Sequence, residues 1–83
     1  MPVEIGDSIR VGVVFGGQPK VRPVWFIWHE REVRIREITY RWQSRDGRSV
    51  IHHFAVSDGA NVYELRYDAG TLGWTLASTE APT

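Results

Sequence analysis

There is no cysteine among the 83 residues, which excludes a disulfide, a thiolate zinc site and a cysteine nucleophile, and leaves packing alone to hold the fold. The same absence fits a reducing cytoplasm, the expected location. No apolar run approaches the ~18 residues of a membrane span, and the opening MPVEIGD lacks the basic start and apolar stretch of a secretory signal, so no membrane partner is expected. Net charge is missing too. Ten basic and ten acidic side chains cancel, which argues against a protein that holds nucleic acid by bulk electrostatics. Metal-ligand spacing is equally scarce: His29 falls in a turn, His52 and His53 are neighbours that point to opposite faces of a strand, and no His-x-His or His-x-x-x-His pair occurs. No metal and no small-molecule cofactor is expected. Gly16-Gly17 is not followed by the Gly-Lys-Ser/Thr of a phosphate-binding loop, and reads as a plain connection.

What the chain does have is aromatic residues, four Trp, three Tyr and three Phe. A domain this short buries only about 60 to 65 % of its unfolded surface, so its core must be dense, and each ring supplies roughly 150 to 250 Å² of burial. Trp25, Trp28 and Trp42 all fall in the stretch Pro23 to Arg48, around which the rest of the chain is organised. Residues 20 to 48 also carry eight basic against four acidic side chains, and the remainder is acidic by the same margin. This asymmetry suits either a solvated strand face with cross-strand ion pairs or a surface that orients an anionic partner.

Periodicity points to strands. Ile9, Val11, Val13 and Phe15 alternate in a first strand ended by Gly16, Gly17 and Pro19. Pro23 opens a second, with Val24, Phe26 and Trp28 on one face and Trp25 and Ile27 on the other. For the third, Val33 and Ile35 share a face with Ile38, Tyr40 and Trp42 if a β-bulge inserts one residue near Arg36 or Glu37. A helix over the same residues would leave Val33 and Tyr40 off its stripe.

Turn chemistry then sets register. A three-residue loop Arg45-Asp46-Gly47, with the glycine left-handed, pairs Trp42 with Val50, Tyr40 with His52 and Ile38 with Phe54. It is preferred over a two-residue Asp46-Gly47 loop because it buries the larger apolar set. Gly59-Ala60 as a two-residue loop pairs Val56 with Tyr63, Phe54 with Leu65 and His52 with Tyr67. A longer turn over Asp68 to Gly73 returns Trp74 beside Tyr67 and Leu76 beside Leu65. The expected fold is all-β, a single domain over 1–83: a small antiparallel meander of five to six strands, forming a strongly coiled sheet or partly open barrel. Its ordered core spans about 9–77 and its polar tail, 78–83, is frayed. Phe26, Trp28, Ile35, Tyr40, Trp42, Phe54, Leu65, Trp74 and Leu76 are the expected core.

The spacing Pro23-x-x-Phe26-x-Trp28, then Val33 and Ile35, Trp42, Tyr63-Glu64-Leu65 and Trp74-x-Leu76 resembles a family of short bacterial domains of unknown function. Members of that family are encoded beside, or fused to, translesion-type DNA polymerases. The resemblance covers about residues 23–76 and rests mostly on core-forming positions. It departs at the first hairpin, where the family usually has glycine after Trp-x and an aromatic three residues later; here those places hold Glu30 and Val33. The resemblance implies a partner in DNA repair or replication and supplies no catalytic residue to carry over.

The residues themselves point the same way. The register sets His52 between Tyr40 and Tyr67, as a hydrogen-bonded core residue with no nucleophile to activate. Ser8, Ser44, Ser49, Ser57 and Ser78 occupy turns and ends, the carboxylates are scattered, and no enzyme is expected. With Glu30-Arg31 as a two-residue loop, Trp25 stands across from Arg36 and Ile27 from Arg34, and Arg41 and His53 continue that face. Trp25, Ile27, Arg34, Arg36, Arg41 and His53 are the candidate binding surface. Tryptophan among arginines suits a protein interface, including self-association, and equally suits stacking on single-stranded nucleic acid. Alternatively, residues 9 to 15 cover Trp25 and Ile27. A non-catalytic protein-interaction module is the leading expectation, with weak single-stranded nucleic-acid binding as the alternative and structural homo-oligomerisation third.

Overall fold

The structure, a computed structural model, describes residues 3–17 and 21–80. Pro19 and residues 81–83 of the expected tail lie outside the described residues. The chain forms strands β1 (Val3–Ser8), β2 (Arg10–Phe15), β3 (Val21–Trp28), β4 (Arg31–Arg34), β5 (Glu37–Asp46), β6 (Ser49–Ser57), β7 (Val62–Asp68) and β8 (Gly73–Glu80). Two antiparallel sheets result, one ordered β1-β8-β7-β6-β5 and one β2-β3-β4. The all-β class and the open, coiled architecture are as expected. The strand number is higher, because an additional strand precedes residue 9 and the expected third strand is two strands.

That division occurs at Ile35 and Arg36. The Ile35 N–H donates to Val24 O of the smaller sheet at 3.0 Å, while the Arg36 N–H donates to Ser57 O of the larger at 2.8 Å. Consecutive residues therefore serve different sheets. The bulge expected near Arg36 or Glu37 lies further on: Ile38 faces Val56 and Tyr40 faces Ala55, leaving Thr39 as the extra residue. A second crossing is made at Ile9, whose N–H reaches Trp74 O at 3.2 Å. Ser78 to Glu80 are paired within β8, so the expected fraying does not begin at residue 78.

Turns fix the pairings. His29 and Glu30 both have positive φ, 52° and 64°, the geometry of a tight two-residue hairpin loop. Trp25 accordingly pairs with Arg34 and Ile27 with Glu32, two residues from the expected partners and therefore on the same face. The β6–β7 and β7–β8 pairings are those expected, Phe54 with Leu65, His52 with Tyr67, Tyr67 with Trp74 and Leu65 with Leu76. The β5–β6 register differs. The loop is Gly47-Arg48, with Gly47 at φ 61°, so Asp46 faces Ser49 and Trp42 faces His53 instead of Val50. A glycine with positive φ at the first loop position suits this turn and carries no Cβ penalty.

Between the sheets lie Phe26, Phe54, Val56, Tyr63, Leu65 and Leu76, all buried, with Trp28, Val33, Ile35, Ile38 and Trp74 packed around them. Phe26 from the smaller sheet meets Tyr63 edge-on at 5.1 Å, and Trp28 Nε1 donates to Asp7 of β1 at 3.1 Å. Leu76 and Ala77 are both buried although adjacent. A bulge explains this, because Glu64 pairs with Ser78 and Leu65 with Leu76, leaving Ala77 as the extra residue. Two expected core residues are elsewhere: Tyr40 is 65 % exposed, and Trp42 lies on the outer face of the larger sheet.

Candidate functional site

The six residues expected to share one surface are distributed over three. Trp25, Ile27 and Arg34 belong to the outer face of the smaller sheet. There the indole of Trp25 lies across its cross-strand neighbour Gly12, where a Cβ would overlap the ring. The glycine thus provides an intramolecular seat for Trp25 and leaves the residue half-buried. Arg34 is held by Glu32 of the same face at 3.0 Å, an exposed pair of small energetic weight.

Arg36 and Arg41 lie where the two sheets fail to join. β6 is the hydrogen-bonded neighbour of β5, whose other edge has no strand partner among the described residues. Beside that edge is a cleft of about 310 Å³ lined by Arg22, Pro23 and Val24 of β3 and by Arg36, Ile38 and Arg41. Ile35 and Glu37 complete it. Arg36 also packs over Gly59 of the β6–β7 turn, where an added Cβ would fall 2.8 Å from its Nη1. None of the three arginines has an ion-pair partner among the described residues. The seam therefore combines an apolar floor, one carboxylate and three guanidinium groups, a composition suited to carboxylates or phosphates. Arg22 was missed by the sequence reading because the approach of β3 to β5 is a tertiary event with no local signal.

His53 is on the opposite side of the larger sheet and is 8 % exposed. Trp42 stacks on it, ring centroids 4.9 Å apart and planes 7° apart. Its Nε2 lies 2.7 Å from Ser44 Oγ and its Nδ1 3.4 Å from Glu64 Oε2. The same carboxylate oxygen accepts from Arg66 Nε at 3.0 Å. Ser44 and Glu64 were not candidates from sequence, since only the Gly47-Arg48 loop brings Ser44 diagonally across from His53. His52 faces the other way, beside Gln43 and Tyr67.

A further polar cluster anchors the β6–β7 turn. Asp58 Oδ1 accepts from the N–H groups of Ala60 and Asn61 at 2.8 and 2.7 Å, and Oδ2 from the Tyr63 hydroxyl at 3.2 Å. Burial alone would raise the Asp58 pKa, but these hydrogen bonds together outweigh it and hold the carboxyl below its ordinary 3.8. Tyr63 is pushed the other way, chiefly by burial and further by the Asp58 charge. No cluster of three or more His, Cys, Asp or Glu able to hold a metal occurs among the described residues. Compared with family models, with curated proteins and with solved structures, the chain finds no match.

Proposed function

We propose that the domain is a protein-interaction module whose seam takes an extended, acidic segment of a partner protein along the free edge of β5. The observation that carries this reading is the juxtaposition of a ten-residue edge strand, whose outer edge has no strand partner among the described residues, with three arginines that lack ion-pair partners there. An edge strand offers a row of backbone donors and acceptors to an added strand. The arginines supply the preference for acidic side chains. Binding, without turnover, is the activity of this seam.

Two alternatives fit it less well. Single-stranded nucleic acid is held by base stacking together with charge, yet no aromatic side chain lines the cleft. A second copy of the chain would bring the same arginines to a two-fold contact and oppose like charges. The resemblance described above implies a partner among DNA repair or replication proteins, which is the first place to seek an acidic segment of this kind. Fluorescence anisotropy with a labelled acidic peptide of extended sequence tests the reading. Binding should be lost in Arg22→Glu and Arg41→Glu, and a single-stranded oligonucleotide should not compete. Tighter binding of the oligonucleotide, or indifference to both charge reversals, would overturn it.

A further inference from the structure

Ser44, His53 and Glu64 stand in sequence across β5, β6 and β7, on the face away from the seam, and their geometry is independent of it. An ionised carboxylate only accepts hydrogen bonds, so the His53 nitrogen facing Glu64, Nδ1, carries the imidazole proton. Nε2 is then left with a lone pair directed at Ser44 Oγ, 2.7 Å away, and the serine hydroxyl is the donor. A hydroxyl within reach of a base, and a base oriented by a third group, is the arrangement that activates a serine nucleophile. Here the base is also immobilised, by the stacked Trp42 on one side and by a carboxylate that Arg66 holds in place. Ser44 itself is exposed, so its hydroxyl does not need a protein partner for solvation, whereas a buried histidine with both nitrogens engaged is fixed in one tautomer.

We propose that Ser44 is a nucleophilic serine that accepts acyl groups from small esters. Oγ attacks the ester carbonyl carbon as its proton passes to His53 Nε2. The C–O bond to the leaving group then breaks, and the departing oxygen takes that proton. Water, deprotonated by the same nitrogen, releases the acid and restores the serine. Ser44 opens onto a cleft of about 300 Å³ shared with His53, Arg66, Asp46 and Asp68. Arg66 is the cation available to the developing oxyanion, and the two aspartates disfavour anionic substrates. Uncharged or cationic esters are the class that fits. Glu64 is a positioning residue, acting through the imidazole.

Incubation of the whole chain with a fluorophosphonate probe, followed by mass-spectrometric mapping, reads the proposal directly. Label should concentrate on Ser44 over Ser8, Ser49, Ser57 and Ser78 of the same molecules. It should fall by about 100-fold in His53→Gln, the scale of a lost general base. Glu64→Gln should also lose label, and Glu64→Asp should recover part of it, a rescue that a purely structural role would not give. Label spread across serines in proportion to exposure overturns the proposal, as does Ser44 labelling unchanged in His53→Gln. Should His53→Gln fail to fold, the distribution of label in the unaltered protein decides alone. Because the decisive readout is Ser44 and its dependence on His53, neither of which lines the seam, either result leaves the peptide-binding test of the seam unaffected.

Discussion

Trp42 lies flat on His53, ring planes 7° apart, and both side chains face outward from the larger sheet instead of into the core. This stacking accounts for a buried histidine on an outer face, since the indole shields it while the hydroxyl of Ser44 and the carboxylate of Glu64 engage its nitrogens.

The placement separates two aromatic truncations. Phe26 is fully buried between the sheets, and Phe26→Ala should cost about 3 to 5 kcal/mol. Trp42→Ala should cost only about 1 to 2 kcal/mol, the scale of a surface aromatic stack with its partly shielded neighbours. Chemical denaturation of both variants checks this, and a Trp42→Ala loss equal to that of Phe26→Ala would return Trp42 to the core.

Gly12 and Trp25 should be energetically coupled. A methyl group at Gly12 meets the indole, so Gly12→Ala forces the ring aside and should cost about 1 to 3 kcal/mol. In a Trp25→Ala background the same substitution should cost markedly less. A double-mutant cycle measures the difference, and strict additivity would show that the ring does not rest on this strand.

Asp58 gives the acid limb of the stability profile a defined sign. Its folded pKa lies below the ordinary 3.8, so the folded state binds fewer protons than the unfolded state. Its contribution is complete above the unfolded value and is lost as pH falls through the lowered folded one. Asp58→Asn should therefore be less stable than the parent near neutral pH, with the gap closing below about pH 4. Urea midpoints across that range report it, and a gap independent of pH would place the carboxyl outside these hydrogen bonds.

How far the fold was legible depended on whether turn and pattern agreed. Gly59-Ala60 and the Asp68 to Gly73 turn sit beside strands that alternate cleanly, and Phe54, Leu65 and Leu76 were placed correctly from them. β5 defeated the same argument because Tyr40 and Trp42 look like core residues, and the extra residue at Thr39 reverses which side of the strand faces inward. β1 carries no strand signal of its own, because VEIGDS has few apolar residues and a glycine within it, and its pairing with β8 is long-range. The candidate sites inherit these errors. Ser44 meets His53 only in the observed register, and Arg22 lines one cleft with Arg41 only because β3 lies beside an edge that the expected continuous third strand would not have left in that position.

The seam is tested most directly by titrating the isotope-labelled domain with the acidic peptide and following backbone amide signals by NMR. Chemical-shift changes should concentrate on β5 and on Val21 to Val24, with cross-strand NOEs between peptide and β5, and both should vanish in Arg41→Glu. Shifts centred on the outer face of β2-β3-β4 around Trp25, or persisting unchanged in Arg41→Glu, would contradict the assignment of the seam as the binding site.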